Sequence, residues 1–147
     1  MGDLPEQRPG DVTVLDMEAS IEHLTRGTVR NVDALLVVTE PYYRSLETTG
    51  RIVPLACDLG LEQVWVVANK VRTEADEAAI REYCARHAFE LVGVIPFDES
   101  VTAADQAGQG LIDYAPGTPA VTAVAELADL LMERLGSLSE VSHASHP

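Results

Sequence analysis

Four short apolar runs constrain the fold of this chain more than any other feature: Val12-Thr13-Val14-Leu15, Ala34-Leu35-Leu36-Val37-Val38, Val64-Trp65-Val66-Val67-Ala68 and Leu91-Val92-Gly93-Val94-Ile95. They are continuous rather than alternating, and rich in Val. Strands buried on both faces read this way, which points to a parallel sheet flanked by helices. Helical patterns separate the later runs. Residues 44–59 carry Leu46, Thr49, Ile52, Val53, Ala56 and Leu59 at helical spacing, with Gly60 as the C′ residue. Pro54 falls inside that pattern and predicts a kink or a break. Residues 74–88 start at Thr73 as N-cap, with Glu74, Asp76 and Glu77 in the first turn, where the helix dipole favours anions. The inward stripe there is Ala79, Ile80, Tyr83, Cys84 and His87. A last helix runs from Pro119, capped by Thr118, to Leu135, with Gly136 closing it. Strands alternating with helices over short loops make right-handed βαβ units, so the architecture is α/β, doubly wound or close to it.

At 147 residues and 46% apolar composition this is one domain. Residues 1–10 read as an irregular start, 11–136 as the folded part and 137–147 as a disordered tail. The formal charge is −14, and nine of the ten basic residues are Arg, leaving Lys70 as the sole lysine. So acidic a surface repels phosphate backbones and anionic membranes, which argues against nucleic acid as a partner. No apolar run reaches the length of a membrane span, and the start lacks the basic and apolar regions of a secretory signal. Cys57 and Cys84 match no metal or disulfide spacing and read as small buried residues. His143 and His146 in the tail are not expected to hold metal. The expected setting is reduced and cytoplasmic.

In an open parallel sheet, ligands bind at the carboxyl ends of the strands, so the residues closing each run are the candidate site. Asp16 closes the first; a carboxylate fixed by a strand suits a metal-bound water beside a phosphate, and equally a turn or helix cap. Thr39-Glu40-Pro41 closes the second, with Glu40 read as a solvated or helix-start acid. Asn69-Lys70-Val71-Arg72 closes the third. An Asn amide is both donor and acceptor and can pair with a purine edge. A guanine-reading loop adds an aspartate two positions after the lysine; Arg72 stands there, so adenine is preferred. Pro96-Phe97-Asp98 closes the fourth: a rigid Pro-aromatic wall for a base, with Asp98 also placed to cap a helix through Val101 and Ala104 to Gly108.

These segments, together with Leu15 to Thr28 and Val32 to Leu46, resemble the MinD/ParA/nitrogenase-iron-protein class of P-loop ATPases, and within it the CooC-type ATPases that help insert nickel into carbon monoxide dehydrogenase. The resemblance runs from about Gly10 to about Leu135. It implies a MinD-like P-loop NTPase fold, ATP or ADP with Mg²⁺ as cofactors, and nucleotide-driven dimers. It makes Asp16 the switch II aspartate that senses Mg²⁺ through water, Asn69 and Lys70 the adenine-reading pair, Pro96 and Phe97 the base lining with Asp98 beside them, and Glu18 to Arg26 the switch and partner surface.

The departures are as informative. The family opens with a Gly-rich loop carrying two lysines, which cradles phosphate through N–H groups and charge. No Gly-Lys pair exists here, the metal-binding cysteine pair of CooC-type dimers is missing, and Ser20 stands where the family has glycine. The chain looks like the carboxyl-terminal part of such an ATPase, lacking the Walker A part and inactive alone, with a homodimer or the missing amino-terminal half as partner and a metalloenzyme as client. The alternative is a non-catalytic interaction module of the same fold that docks a partner ATPase or metalloenzyme. A receiver-type phospho-acceptor domain fits the length but not the residues: Asp16 lacks an adjacent acid, and Lys70 follows the third run, not the last.

Overall fold

The computed structural model describes residues 11–17, 22 and 24–144, with side chains up to 138. Its centre is a three-stranded parallel sheet in the order β1-β2-β3, formed by β1 (Leu35–Thr39), β2 (Val64–Val71) and β3 (Glu90–Pro96). Helix α2 (Tyr43–Asp58) connects β1 to β2 and α3 (Glu74–His87) connects β2 to β3. Both lie on one face. Ile52 and Val53 of α2 and Ile80 and Cys84 of α3 pack with Val37, Val66 and Ala68 in a single buried cluster. Two helices can approach this closely because residue 50 is glycine: a Cβ there would collide with the Tyr83 hydroxyl.

Residues in register share a face of a parallel ladder, and Gly93 aligns with Val67, which aligns with Val38. Gly93 sits under Leu127 of the last helix, α6 (Pro119–Ala144). Helix α6 therefore covers the second face, over β3 and over Trp65 of β2, where Arg134 lies above the indole. It leaves the second face of β1 bare: Leu36 and Val38 are 37% and 54% exposed. Three short helices, α1 (Arg26–Arg30), α4 (Glu99–Gln106) and α5 (Leu111–Tyr114), complete the described residues.

Local chemistry sets the helix ends. Thr73 accepts from the Asp76 N–H while the Asp76 carboxylate accepts from the Thr73 N–H, a reciprocal capping box. After α2, Leu61 donates to the Ala56 carbonyl and Gly60 to that of Cys57, with Gly60 at φ 102°. This is the Schellman closure expected of a glycine at that position.

Five expectations are corrected. Val12–Leu15 belong to no strand, and Val12 and Val14 are exposed; a strand forms only against a ladder partner, and this run does not join the sheet. Helix α2 runs unbroken through Pro54, which is exposed on its outer side. Helix α6 continues through Gly136 to Ala144, so residues 137–144, expected as tail, are helical. Cys57 is exposed rather than buried; only Cys84 lies in the core, where burial raises its thiol pKa. His87 is exposed as well, its Nδ1 2.8 Å from the Tyr83 carbonyl and its ring stacked on Tyr83 and Phe89, a structural placement at the helix end.

Candidate functional site

Parallel strands end together, and here their carboxyl ends bring three of the four sequence-selected segments to one rim. At the end of β1, the buried Thr39 hydroxyl shares a hydrogen bond with Ser45 Oγ (3.2 Å), and Ser45 Oγ accepts from the Glu40 N–H (2.8 Å). Ser45 lies in the first turn of α2, so the helix start fixes the β1 loop and aims Glu40 along the rim.

At the end of β2 the chain turns sharply. Lys70 is in the left-handed region at φ 57°, and its N–H donates to Asn69 Oδ1 (2.9 Å). A lysine in that region carries a conformational cost that a neighbouring side chain must offset. The Lys70 ammonium reaches across to Glu40, with Nζ 2.8 Å from Oε1. This hydrogen bond, and then the charge of Glu40, raise the lysine pKa above its ordinary value.

The end of β3 lies beside that turn. Phe97 donates its N–H to the Val71 carbonyl (2.9 Å), and the Arg72 guanidinium carbon lies 3.8 Å from the Phe97 ring centre. This is cation–π geometry. Asp98 is occupied structurally: Oδ1 accepts from the Ser100 N–H (2.9 Å) and Oδ2 from the Ala120 N–H (3.3 Å), so one carboxylate caps α4 and ties down the start of α6. The Ser100 N–H is the first cause of its lowered pKa, with the Ala120 N–H adding to it.

Asn69, Lys70, Pro96, Phe97 and Asp98 thus share the rim. Asp16 does not. It is exposed within the irregular segment 11–17, and no strand fixes its carboxylate. Among the described residues no group of three His, Cys, Asp or Glu side chains could hold a metal ion. As a Mg²⁺ ligand Asp16 would offer one exposed carboxylate, with waters and phosphate oxygens supplying the rest of the coordination. Of the stretch Glu18 to Arg26, only residues 22 and 24–26 are among those described; Ser20 lies outside them.

Two partners escaped the sequence reading. Glu40 is the counter-ion of Lys70 rather than a solvated acid, and Arg72 covers the aromatic wall. A lone lysine in a −14 chain could have signalled the first, since acidic residues outnumber basic ones 24 to 10.

No family profile matches the chain. Its sequence is 40% identical over 132 residues to the carbon monoxide dehydrogenase accessory protein CooC of Rhodospirillum rubrum, covering 90% of this chain and 49% of CooC. Its fold is similar to a ParA family ATPase from Chlorobium tepidum (TM-score 0.63, 20% identity, 74% of this chain and 46% of that one). It is also similar to the septum site-determining protein MinD of Pyrococcus horikoshii complexed with Mg-ADP (TM-score 0.56, 23% identity, 74% and 43%). No helix among the described residues is long and apolar enough to cross a membrane. By sequence and by fold the chain belongs with the CooC and MinD/ParA P-loop ATPases, and it spans about half the length of those relatives.

Proposed function

We propose that this chain is the carboxyl-terminal portion of a CooC-like cytoplasmic ATPase, carrying the adenine-reading half of its nucleotide site and serving nickel insertion into carbon monoxide dehydrogenase. The observation that carries the reading is the shared rim: Asn69-Lys70 at the end of β2 stands beside Pro96-Phe97 at the end of β3. Asn69 Oδ1 is committed to the Lys70 N–H, which leaves its amide NH₂ as a donor to a base. Phe97 supplies the flat surface, and a base would stack there by displacing or sandwiching Arg72. Asp98 holds the wall in place through its two helix caps. Asp16 takes the role of switch II aspartate only when Mg²⁺ and a phosphate cradle stand next to it. Mg²⁺, when bound with nucleotide, supplies charge neutralisation at the phosphates.

Without the two lysines and the Gly-rich nest of N–H groups that the family's loop supplies, most phosphate stabilisation is missing. Calorimetric titration of the chain with Mg-ATP is expected to show binding weaker than about 1 mM, roughly −4 kcal/mol, and phosphate release at background. Tighter binding, or turnover, overturns this account of the chain as half a site.

A second reading is a non-catalytic module that docks a partner ATPase or metalloenzyme. The exposed Leu36 and Val38 on β1 favour it.

A further inference from the structure

Arg72 lies on the surface that a base at the rim would need. Its guanidinium carbon stands over the Phe97 ring, 3.8 Å from the centre. The wall beneath it is fixed by its neighbours. Phe97 donates its N–H to the Val71 carbonyl (2.9 Å), and Asp98 beside it caps α4 and holds the start of α6. The Arg72 backbone is pinned as well, since its N–H donates to Asp76 Oδ2 (3.1 Å) next to the capping box of α3. Rearrangement at this contact therefore falls to the exposed Arg72 side chain.

A second seat for that side chain lies beside the first turn of α3. Arg72 lines a pocket of about 200 Å³ there with Val71, Thr73, Glu74 and Glu77. Carboxylates are the natural partners of a guanidinium that leaves the ring. Glu77 already accepts from Arg81 Nε (3.3 Å), and a carboxylate has lone pairs for a further donor. Stacking of a base on an aromatic ring is stronger than a cation–π contact at an exposed site, so a base can take the ring from the arginine. The pocket favours turning aside over lifting off: beside Glu74 and Glu77 the guanidinium has charge partners that a raised position above the base lacks.

We propose that Arg72 sets the affinity of the base site by competing for it: its guanidinium occupies the face of Phe97 when no base is bound, and a base takes that face by turning Arg72 toward Glu74 and Glu77. The proposal rests on the reading of Phe97 as the wall for the base. Arg72 then weakens binding, the reverse of what an arginine beside a nucleotide ordinarily does.

Adenosine is the probe, because it is neutral and so insensitive to the charge that Arg72→Ala also removes. Titrations of the full chain are followed by NMR through the ring protons of Phe97, one of two phenylalanines in the chain, and through the side-chain protons of Arg72. Arg72→Ala is expected to bind adenosine about two- to fivefold more tightly than the parent, the range set by an exposed cation–π contact. In the parent, the Arg72 protons start upfield under the Phe97 ring current and should move downfield as adenosine binds. The side chain is exposed and the backbone bond to Asp76 survives its truncation, so the variant keeps the fold.

Equal or weaker binding by Arg72→Ala, with the Phe97 ring still responding, overturns the proposal and leaves the base wall standing. Arg72 protons that move further upfield mean a sandwich and overturn it too. A Phe97 ring that responds to adenosine in neither protein refutes the base wall itself, and the role of Arg72 falls with it.

Discussion

Asp98 and Lys70 occupy the same rim, yet their charges do different work. The Asp98 carboxylate accepts N–H bonds from two helix starts, and these hold its pKa below the ordinary aspartate value. A depressed carboxylate contributes stability that is present above the unfolded pKa, about 3.9, and is lost as pH falls through the folded value. Asp98→Ala should therefore melt well below the parent at pH 7, and the gap between the two melting curves should close as pH drops under 4. A gap that persists at pH 2.5 would assign the loss to packing. Lys70 runs the other way. Its pKa is raised by Glu40, so any stabilisation is complete below about 10.4 and fades as pH rises through the folded value. Its side chain is 53% exposed, and an exposed pair is screened, so Lys70→Met should cost less than about 1 kcal/mol in urea unfolding at pH 8.

Among the elements, the α2–α3 contact has the least slack. Gly50 meets the Tyr83 hydroxyl where any Cβ would collide, and Tyr83 is itself stacked on His87. Gly50→Ala should cost about 1–3 kcal/mol as an over-packed contact, although alanine is the better helix former by about 1 kcal/mol. Chemical denaturation of the variant reads the balance, and a stabilised protein would mean that Tyr83 swings aside freely.

Elements whose formation depends on local signals were legible in the sequence. The N-cap at Thr73, the Gly60 closure and the strand runs behind β1, β2 and β3 stand where the pattern put them. Elements that depend on distant partners were not. Val12–Leu15 reads as strongly as the other runs but does not join the sheet, because a strand is defined by its neighbour. Gly136 reads as a stop, yet a glycine costs a helix only about 1 kcal/mol, and α6 runs on past it. At the site, single residues such as Asn69 and Phe97 could be picked from the strand ends. The pairs Lys70–Glu40 and Arg72–Phe97 could not, since which side chains meet across a rim follows from register and loop course.

For the whole molecule, the −14 charge sets the terms on which an anion arrives. A protein of this sign repels ATP over distances comparable to the Debye length, about 10 Å at 0.1 M salt. Mg-ATP binding by the chain is therefore expected to strengthen as sodium chloride rises from about 10 to 100 mM, the reverse of a lysine-cradled site. Calorimetric titrations at the two salt concentrations check the sign, and a weaker interaction at high salt would mean a local basic pocket outweighs the global field.

The strand order β1-β2-β3 follows the chain, with each crossover helix on the same side and its cap or closure encoded nearby. Each crossover closes a loop before its strand pairing repays the cost, which makes parallel sheets slow to form. The principal core, from Val37 to Cys84, is assembled from two consecutive βαβ units whose ladder partners lie 25 to 29 residues apart in the chain. Strand β2 belongs to both units, so the topology makes it the one strand without which neither crossover can close.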